Sequence, residues 1–195
     1  MIRDTFIAAI GSTTVTMEWA MAELMRNPPV MKKAREEVRK AVGNIGKVEE
    51  ADLAEMNYLR MIIKEALRVH TPGPFTAKGY HIPEKTMVLI NVWAIARDSK
   101  SWEIPDAFMP ERFINNPVDF TGQDYQFLPF GSGRRICPGI RFSMGTIELA
   151  LANLLYWFEW DLPAGANHKS LDMSESSGIV VHKKFPLLLV PKNAL

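Results

Sequence analysis

The residue best suited to chemistry is Cys137, the only cysteine among 195 residues. Pro138 suits the first position of a helix, which puts Cys137 at or next to that helix's N-cap. A helix N-terminus favours a thiolate over a thiol, and Arg134 and Arg135 add positive charge just upstream. Gly131, Gly133 and Gly139 strip side chains from the backbone around the sulfur, so that a large flat group could approach it. A lone cysteine in an intracellular protein is often only a small buried hydrophobe. The glycine-arginine-cysteine-proline context argues against that reading here.

A second constellation pairs Glu65 with Arg68. Projected at about 100° per residue, Tyr58, Leu59, Ile62, Ile63, Ala66 and Val69 form one apolar arc, with Arg60 and Lys64 on the solvated side. Glu65 falls between Met61 and Tyr58, toward the core. A buried carboxylate needs a partner, and Arg68 is its i+3 neighbour, so a structural lock is expected rather than a surface pair. A third feature is the stretch Ala8-Ala9-Ile10-Gly11-Ser12-Thr13-Thr14, which packs small and hydroxyl residues into an apolar run. It either lets another element approach closely or opens a groove beside a cofactor, with Ser12 or Thr13 supplying a hydroxyl. The histidines His70, His81, His168 and His182 show no metal spacing and read as structural or surface residues.

These residues need elements to hold them. A long helix is expected from Ile2 to Arg26, ended by Asn27-Pro28-Pro29, and a second from about Val30 to Val42. The second carries Lys32, Lys33, Arg35, Arg39 and Lys40. Asp52 looks like the cap of a short turn, Leu53 to Met56, and a third helix runs from about Tyr58 to Val69. Tyr80 to Ile82 and Met87 to Ile90 read as a hairpin, and Val92 to Ala96 as a short helix. From Asp98 to Pro129 there is little period of either kind, and a loop of that length tends to be functional. A strong helix follows from Pro138 to about Phe158, and Gly178 to Pro191 reads as one or two strands. The fold class is mainly α with small β elements.

Composition narrows the function. Hydrophobic residues at 47% and charged residues at 23% fit a globular chain. Lys+Arg at 23 against Asp+Glu at 22 gives a net charge of +1 and no global nucleic-acid footprint. One cysteine rules out an internal disulfide framework and a Cys-rich zinc site. No apolar run approaches the ~18 residues of a membrane span, and the N-terminus lacks the order of a signal peptide.

Phe130-Gly131-Ser132-Gly133-Arg134-Arg135-Ile136-Cys137-Pro138-Gly139 resembles the cysteine loop, F-x-x-G-x-R-x-C-x-G, of the cytochrome P450 family. Lys64-Glu65-Ala66-Leu67-Arg68 matches its E-x-x-R motif, and Pro110-Glu111-Arg112-Phe113 resembles its P-E-R-F. Glu18-Trp19-Ala20-Met21-Ala22-Glu23-Leu24 and Val92-Trp93-Ala94-Ile95-Ala96-Arg97-Asp98 resemble plant microsomal members in particular. The resemblance covers nearly all of this chain but only the C-terminal part of a P450, from the oxygen-binding helix onward. It therefore implies one partial domain over 1–195, without the N-terminal half of the family fold.

The resemblance implies haem b, with Cys137 as axial iron ligand and Arg135 as a propionate contact. Phe130 would pack beside the ligand loop, and Gly133 and Gly139 would allow close approach to the macrocycle. Glu65, Arg68 and Arg112 would form the family's buried network. The implied activity is haem-thiolate monooxygenation of a small lipophilic substrate, in plant secondary metabolism, with electrons from an NADPH-dependent reductase. The basic residues near Cys137 and on the second helix would face that acidic donor. Full-length members sit on the cytosolic face of the endoplasmic reticulum, whereas this chain lacks the anchor and reads as soluble and cytosolic.

Three departures accompany the resemblance. The oxygen-helix pattern falls on Ala8-Ala9-Ile10-Gly11-Ser12, with Gly11 in place of the acid and Ser12 in place of the threonine. The connection Pro74-Phe75-Thr76-Ala77-Lys78-Gly79 is short for the family. The segments that precede the oxygen helix are missing. Two other readings follow: a non-catalytic partial chain, and a haem-thiolate isomerase or dehydratase that does not activate oxygen.

Overall fold

A computed structural model describes residues 2–43, 46–70, 89–176, 178 and 180–193. Five α-helices order it: α1 Ile2–Arg26, α2 Pro28–Val42, α3 Asn57–Val69, α4 Val92–Ile95 and α5 Ile140–Trp157. Four short strands form two antiparallel pairs. Strand β1 (Phe158–Asp161) pairs with β4 (Val190–Asn193), and β2 (Glu175–Ser176) with β3 (His182–Lys183). The mainly α architecture with small sheets is the one the sequence predicts.

The core follows from apolar residues at helical spacing. Met31, Ala34, Val38 and Val42 of α2 meet Leu59, Ile62, Ile63 and Ala66 of α3. Ala20 and Leu24 of α1 and Ile147, Leu151 and Leu155 of α5 close the same cluster. A second cluster, Trp102, Phe113, Val118 and Phe127, gives the long loop its own apolar centre. That loop is therefore not structureless, and it also holds a 3-10 turn at Pro110–Phe113.

Several boundaries differ from those expected. Helix α2 starts at Pro28 rather than Val30, because a first-turn proline lacks only an N–H that would be unpaired anyway. Asp52 is not the cap of a turn over Leu53–Met56. Glu49 caps a 3-10 helix, Glu50–Glu55, and the Asp52 carboxylate accepts from the Glu49 backbone N–H at 2.8 Å, closing a capping box. Helix α5 starts at Ile140 with Gly139 as its N-cap, and Ser143 N–H donates to the Gly139 carbonyl at 2.8 Å. Pro138 is thus outside the helix, and Cys137 precedes the cap rather than forming it. The hairpin expected over Tyr80–Ile82 and Met87–Ile90 falls on residues 71–88, outside the described residues, except for Leu89 and Ile90, which are in no strand.

Arg60 and Lys64, expected on the solvated side of α3, are half-buried. Arg60 Nε lies 3.4 Å from Glu148 Oε1, and Lys64 Nζ lies 3.0 Å from Asp119 Oδ1. The basic face of α2 is also largely spoken for. Lys33 meets Glu111 at 3.0 Å, Lys32 meets Glu36 at 3.9 Å, and Arg35 and Arg39 share Glu159 at 3.4 and 3.8 Å. Four of its five cations have an acidic neighbour within 4 Å.

Candidate functional site

The site is built on the Glu65 carboxylate, which is fully buried with Arg68. Arg68 Nε donates to Oε2 at 2.9 Å and Nη2 to Oε1 at 2.8 Å, a two-pronged pairing. Arg112 Nε donates to Oε1 at 3.0 Å and the Met109 backbone N–H to the same oxygen at 2.9 Å. The two guanidinium groups then satisfy the loop's carbonyls. Arg68 donates to Ala96, Pro105 and Ala107, and Arg112 to Glu103, Ile104 and Ala107. Both lie over the Trp102 ring, at 5.3 and 5.8 Å from its centre. Glu65, Arg68 and Arg112 thus meet as the sequence predicts. Their carboxylate-guanidinium lock turns an irregular segment into a fixed support.

The segment carrying Cys137 rests on that support. Cys137 N–H donates to the Phe130 carbonyl at 2.9 Å, and Ser132 Oγ donates to the Gly122 carbonyl at 2.6 Å. Phe120 meets Phe130 edge-on at 5.6 Å. Gly122 has φ +83°, and a Cβ there would lie 2.9 Å from Ile136 Cδ1 and 3.0 Å from the Gly131 carbonyl oxygen. Sequence reasoning missed Gly122, since a lone loop glycine gives no signal until its neighbours are known. Gly131 and Gly133 have φ of +75° and +71°, and a Cβ on either would meet nothing within 4 Å. Arg134 and Arg135 are exposed.

Cys137 opens into a cavity of about 400 Å³. Helix α1 borders it with Ser12, Thr13 and Thr16, the loop with Phe130, α5 with Ser143 and Ile147, and the tail with Val180 and Val181. Gly139 adjoins the sulfur, since a Cβ there would sit 3.8 Å from Cys137 Sγ, an ordinary contact. The cavity brings Ser12, Thr13, Phe130 and Cys137 together, while Gly133 and Arg135 lie on the exposed part of the loop. The two hydroxyls differ. Ser12 Oγ is exposed and donates to the Ala8 carbonyl at 2.6 Å, whereas Thr13 Oγ1 is buried with no hydrogen-bond partner. Gly11 leaves open space, a Cβ meeting nothing within 4 Å.

A thiol facing a hydroxyl-bearing helix across an open cavity, with Gly139 beside the sulfur, fits the flat group the resemblance implies. A larger groove of about 830 Å³ lies along the solvent face of α5, by Leu53, Phe142 and Glu148, and holds none of these residues. Burial pushes the Glu148 carboxyl up against the opposing pull of Arg60. Among the described residues no cluster of His, Cys, Asp and Glu could hold a metal ion, and no helix is long and apolar enough to cross a membrane.

The family model described as Cytochrome P450 matches residues 1–190. Cytochrome P450 71A1 of Persea americana is 55% identical over 205 residues, covering 100% of this chain and 41% of that protein. Strychnine-11-hydroxylase of Strychnos nux-vomica is 53% identical over 92% of this chain and 37% of its own length. Phenylacetaldehyde oxime monooxygenase of Prunus mume is 47% identical, with 98% of this chain and 39% of that protein covered. The chain spans about two fifths of the length of these relatives.

Proposed function

The chain belongs to the cytochrome P450 family, and on that premise we propose that its residues form the haem-ligating C-terminal part of a plant monooxygenase. The observation that carries this reading is the placement of Cys137 opposite the Ser12–Thr13 stretch of α1 across one cavity. Cys137 Sγ would hold the haem iron as a thiolate. Phe130 would pack beside the ligand loop, Gly133 and Gly139 would leave room for the macrocycle, and the exposed Arg135 would reach a propionate from the outer part of the loop. Haem bound there would supply oxygen activation, helped by the electron-donating thiolate.

The chain's own residues do the rest. Glu65, Arg68 and Arg112 fix the loop, so that Cys137 is presented without reorganisation. Ile147 and Val180 give the cavity apolar walls suited to a small lipophilic substrate. Thr13 Oγ1, buried and unpaired, is free to hold water or pass a proton, whereas Ser12 already donates to its own helix. Arg134 and Arg135 are exposed on the Cys137 loop and present positive charge to the acidic face of an NADPH-dependent reductase. The names of the relatives, a strychnine hydroxylase and an oxime monooxygenase, support oxidation of plant metabolites. In the whole protein these residues would work at the cytosolic face of the endoplasmic reticulum membrane.

Gly11, where the family carries an acid, favours a second reading in which the haem-thiolate site rearranges or dehydrates its substrate without oxygen. The deciding experiment loads the whole protein with haem and follows oxygen uptake, NADPH consumption and product formation over a panel of lipophilic substrates. Coupled uptake with an oxygenated product supports the monooxygenase. Product without oxygen uptake supports the second reading, and neither haem binding nor product would indicate a non-catalytic chain.

A further inference from the structure

His70, at the end of α3, is held by two other elements. Its ring stacks on Trp19 of α1, with centroids 3.8 Å apart and 10° between planes. Nε2 lies 3.0 Å from Oε1 of Glu23 on the same helix α1. Nδ1 lies 3.6 Å from Oε1 of Glu175 on β2 and has no hydrogen-bond partner. The His70 and Glu23 side chains are 7% and 5% exposed, while Glu175 is 41% exposed.

A neutral imidazole carries one N–H and one lone pair. With the proton on Nε2 it satisfies Glu23 and turns its lone pair on the Glu175 carboxylate. With the proton on Nδ1 the opposition moves to Glu23. Only the imidazolium donates toward both carboxylates. Protonation therefore converts the contact with Glu175 from two opposed acceptors into an ion pair.

The other charges facing this cluster are known. Arg97, after α4, donates to the carbonyl of Val69 and is drawn to Glu175, while Arg68 of α3 opposes it. Lys183 of β3 lies 5.0 Å over the Trp19 ring and is attracted by Glu18 and Glu23. With these cations in place, His70 Nδ1 remains without a hydrogen-bond partner.

Glu175 is one of only two paired positions on β2, opposite Lys183. A ribbon this short is marginal without an anchor. One anchor is constant, the Trp19 indole N–H donating to the Val181 carbonyl at 2.8 Å. Val180 and Val181 also border the Cys137 cavity, so that whatever fastens the ribbon sets that wall. We propose that His70 is a pH-sensitive clasp that fastens the β2–β3 ribbon, through Glu175, as one wall of the Cys137 cavity.

The direction of the effect follows from the charges. The Glu175 carboxyl is held below the ordinary carboxylate range, chiefly by its contact with His70. A depressed carboxyl contributes stability that is lost only as the pH falls through its folded value. The clasp is closed while the imidazole holds its second proton and opens when that proton is lost. It needs no haem, although His70 itself borders the Cys137 cavity.

Amide hydrogen exchange of the purified protein, corrected for the intrinsic rate, tests this at about pH 6 and about pH 8. The Lys184 amide, which donates to the Ser174 carbonyl at 2.8 Å, and its neighbours on the ribbon should lose about tenfold in protection at the higher pH. Amides in the middle of α3 should not change. Glu175→Gln should remove the pH dependence, and His70→Gln should do the same while keeping a donor. If buried His70 does not tolerate replacement, the half-exposed Glu175 variant decides alone. Equal ribbon protection at both pH values in the wild type, or a pH dependence that survives in Glu175→Gln, would overturn the clasp.

Discussion

Arg112 Nε lies 3.0 Å from Glu65 Oε1 although the two residues are 47 positions apart in sequence. The same oxygen accepts from Arg68 and from the Met109 backbone, so one buried carboxylate binds α3 to the long loop at two places. Removing one partner of such a network strands an unpaired charge in the core, which costs about 3–5 kcal/mol. Glu65→Ala should therefore lower the denaturant midpoint by that equivalent and reduce the yield of folded protein. Arg112→Lys should cost less, keeping the charge while losing the fork to Glu103, Ile104 and Ala107. Normal midpoints in both variants, with only slower turnover, would rule out a bracing role.

Much of this was legible from residue types. The E-x-x-R pair and the P-E-R-F arginine meet on one carboxylate, since each motif states both a chemistry and a local geometry. The misreadings came from competition between signals a few residues apart. Pro138 looks like a first-turn residue, but the Gly139 carbonyl accepts the first helical bond, so the helix begins after it. The apolar period of α5 runs unbroken into Phe158, yet the chain turns extended there, because Phe158–Asp161 pairs with the distant Val190–Asn193. No local pattern could reveal that partner. His70 read as ordinary because its three neighbours, Trp19, Glu23 and Glu175, come from segments far away in sequence.

Two glycines make opposite predictions. Gly122 sits at φ +83° with backbone atoms about 3 Å from any added Cβ, so Gly122→Ala combines left-handed strain with overlap. It should destabilise the protein by about 2–3 kcal/mol and disorder the segment that carries Cys137. Gly11 has no positive φ and open space around it, so Gly11→Ala should stabilise α1 by about 1 kcal/mol through helix propensity alone. Thermal unfolding of the two variants measures both, and a stable Gly122→Ala protein would contradict the packing described.

Acid stability should depend on Glu111. Its carboxylate accepts from Tyr58 Oη at 2.6 Å and from Lys33 Nζ at 3.0 Å. Burial alone would push this carboxyl up, but the two hydrogen bonds outweigh it and hold it below the ordinary range. Stability from a depressed carboxyl is present above its unfolded pKa and disappears as the pH falls through the folded value. Burial, and then the bond to Glu111, raise the Tyr58 phenol, whose contribution is lost only in strong alkali. Urea midpoints should thus fall below about pH 4 in the wild type and fall less steeply in Glu111→Gln. Identical acid limbs in the two proteins would remove Glu111 from the account.

Replacing Cys137 should separate ligation from folding. The Cys137 backbone, not its side chain, makes the bond to Phe130 that shapes the loop, and the side chain is only partly buried. In haem-loaded whole protein, Cys137→Ala should keep the far-ultraviolet dichroism and lose the thiolate-type spectrum of the reduced carbon monoxide complex. Retention of that spectrum would mean that another group holds the iron.

The 195 residues expressed alone should not turn over a substrate. A haem needs cover on both faces and around its rim, and this chain offers α1 on one side of the cavity and the Cys137 loop on the other. The chain corresponds to about two fifths of its relatives' length, and the rest of their pocket walls would come from elsewhere in the longer proteins. Apolar side chains are left in water, with Ile10 of α1 63% and Phe142 of α5 69% exposed. Such surfaces promote association. Water would also reach the cavity freely, leaving the Thr13 hydroxyl no sheltered path along which to direct a proton. Purified chain mixed with haem, reductase and NADPH should therefore show loose, substoichiometric haem and oxygen uptake uncoupled from product. Tight one-to-one haem with substrate-dependent product would show that these residues build a complete small enzyme, and that the missing walls are not needed.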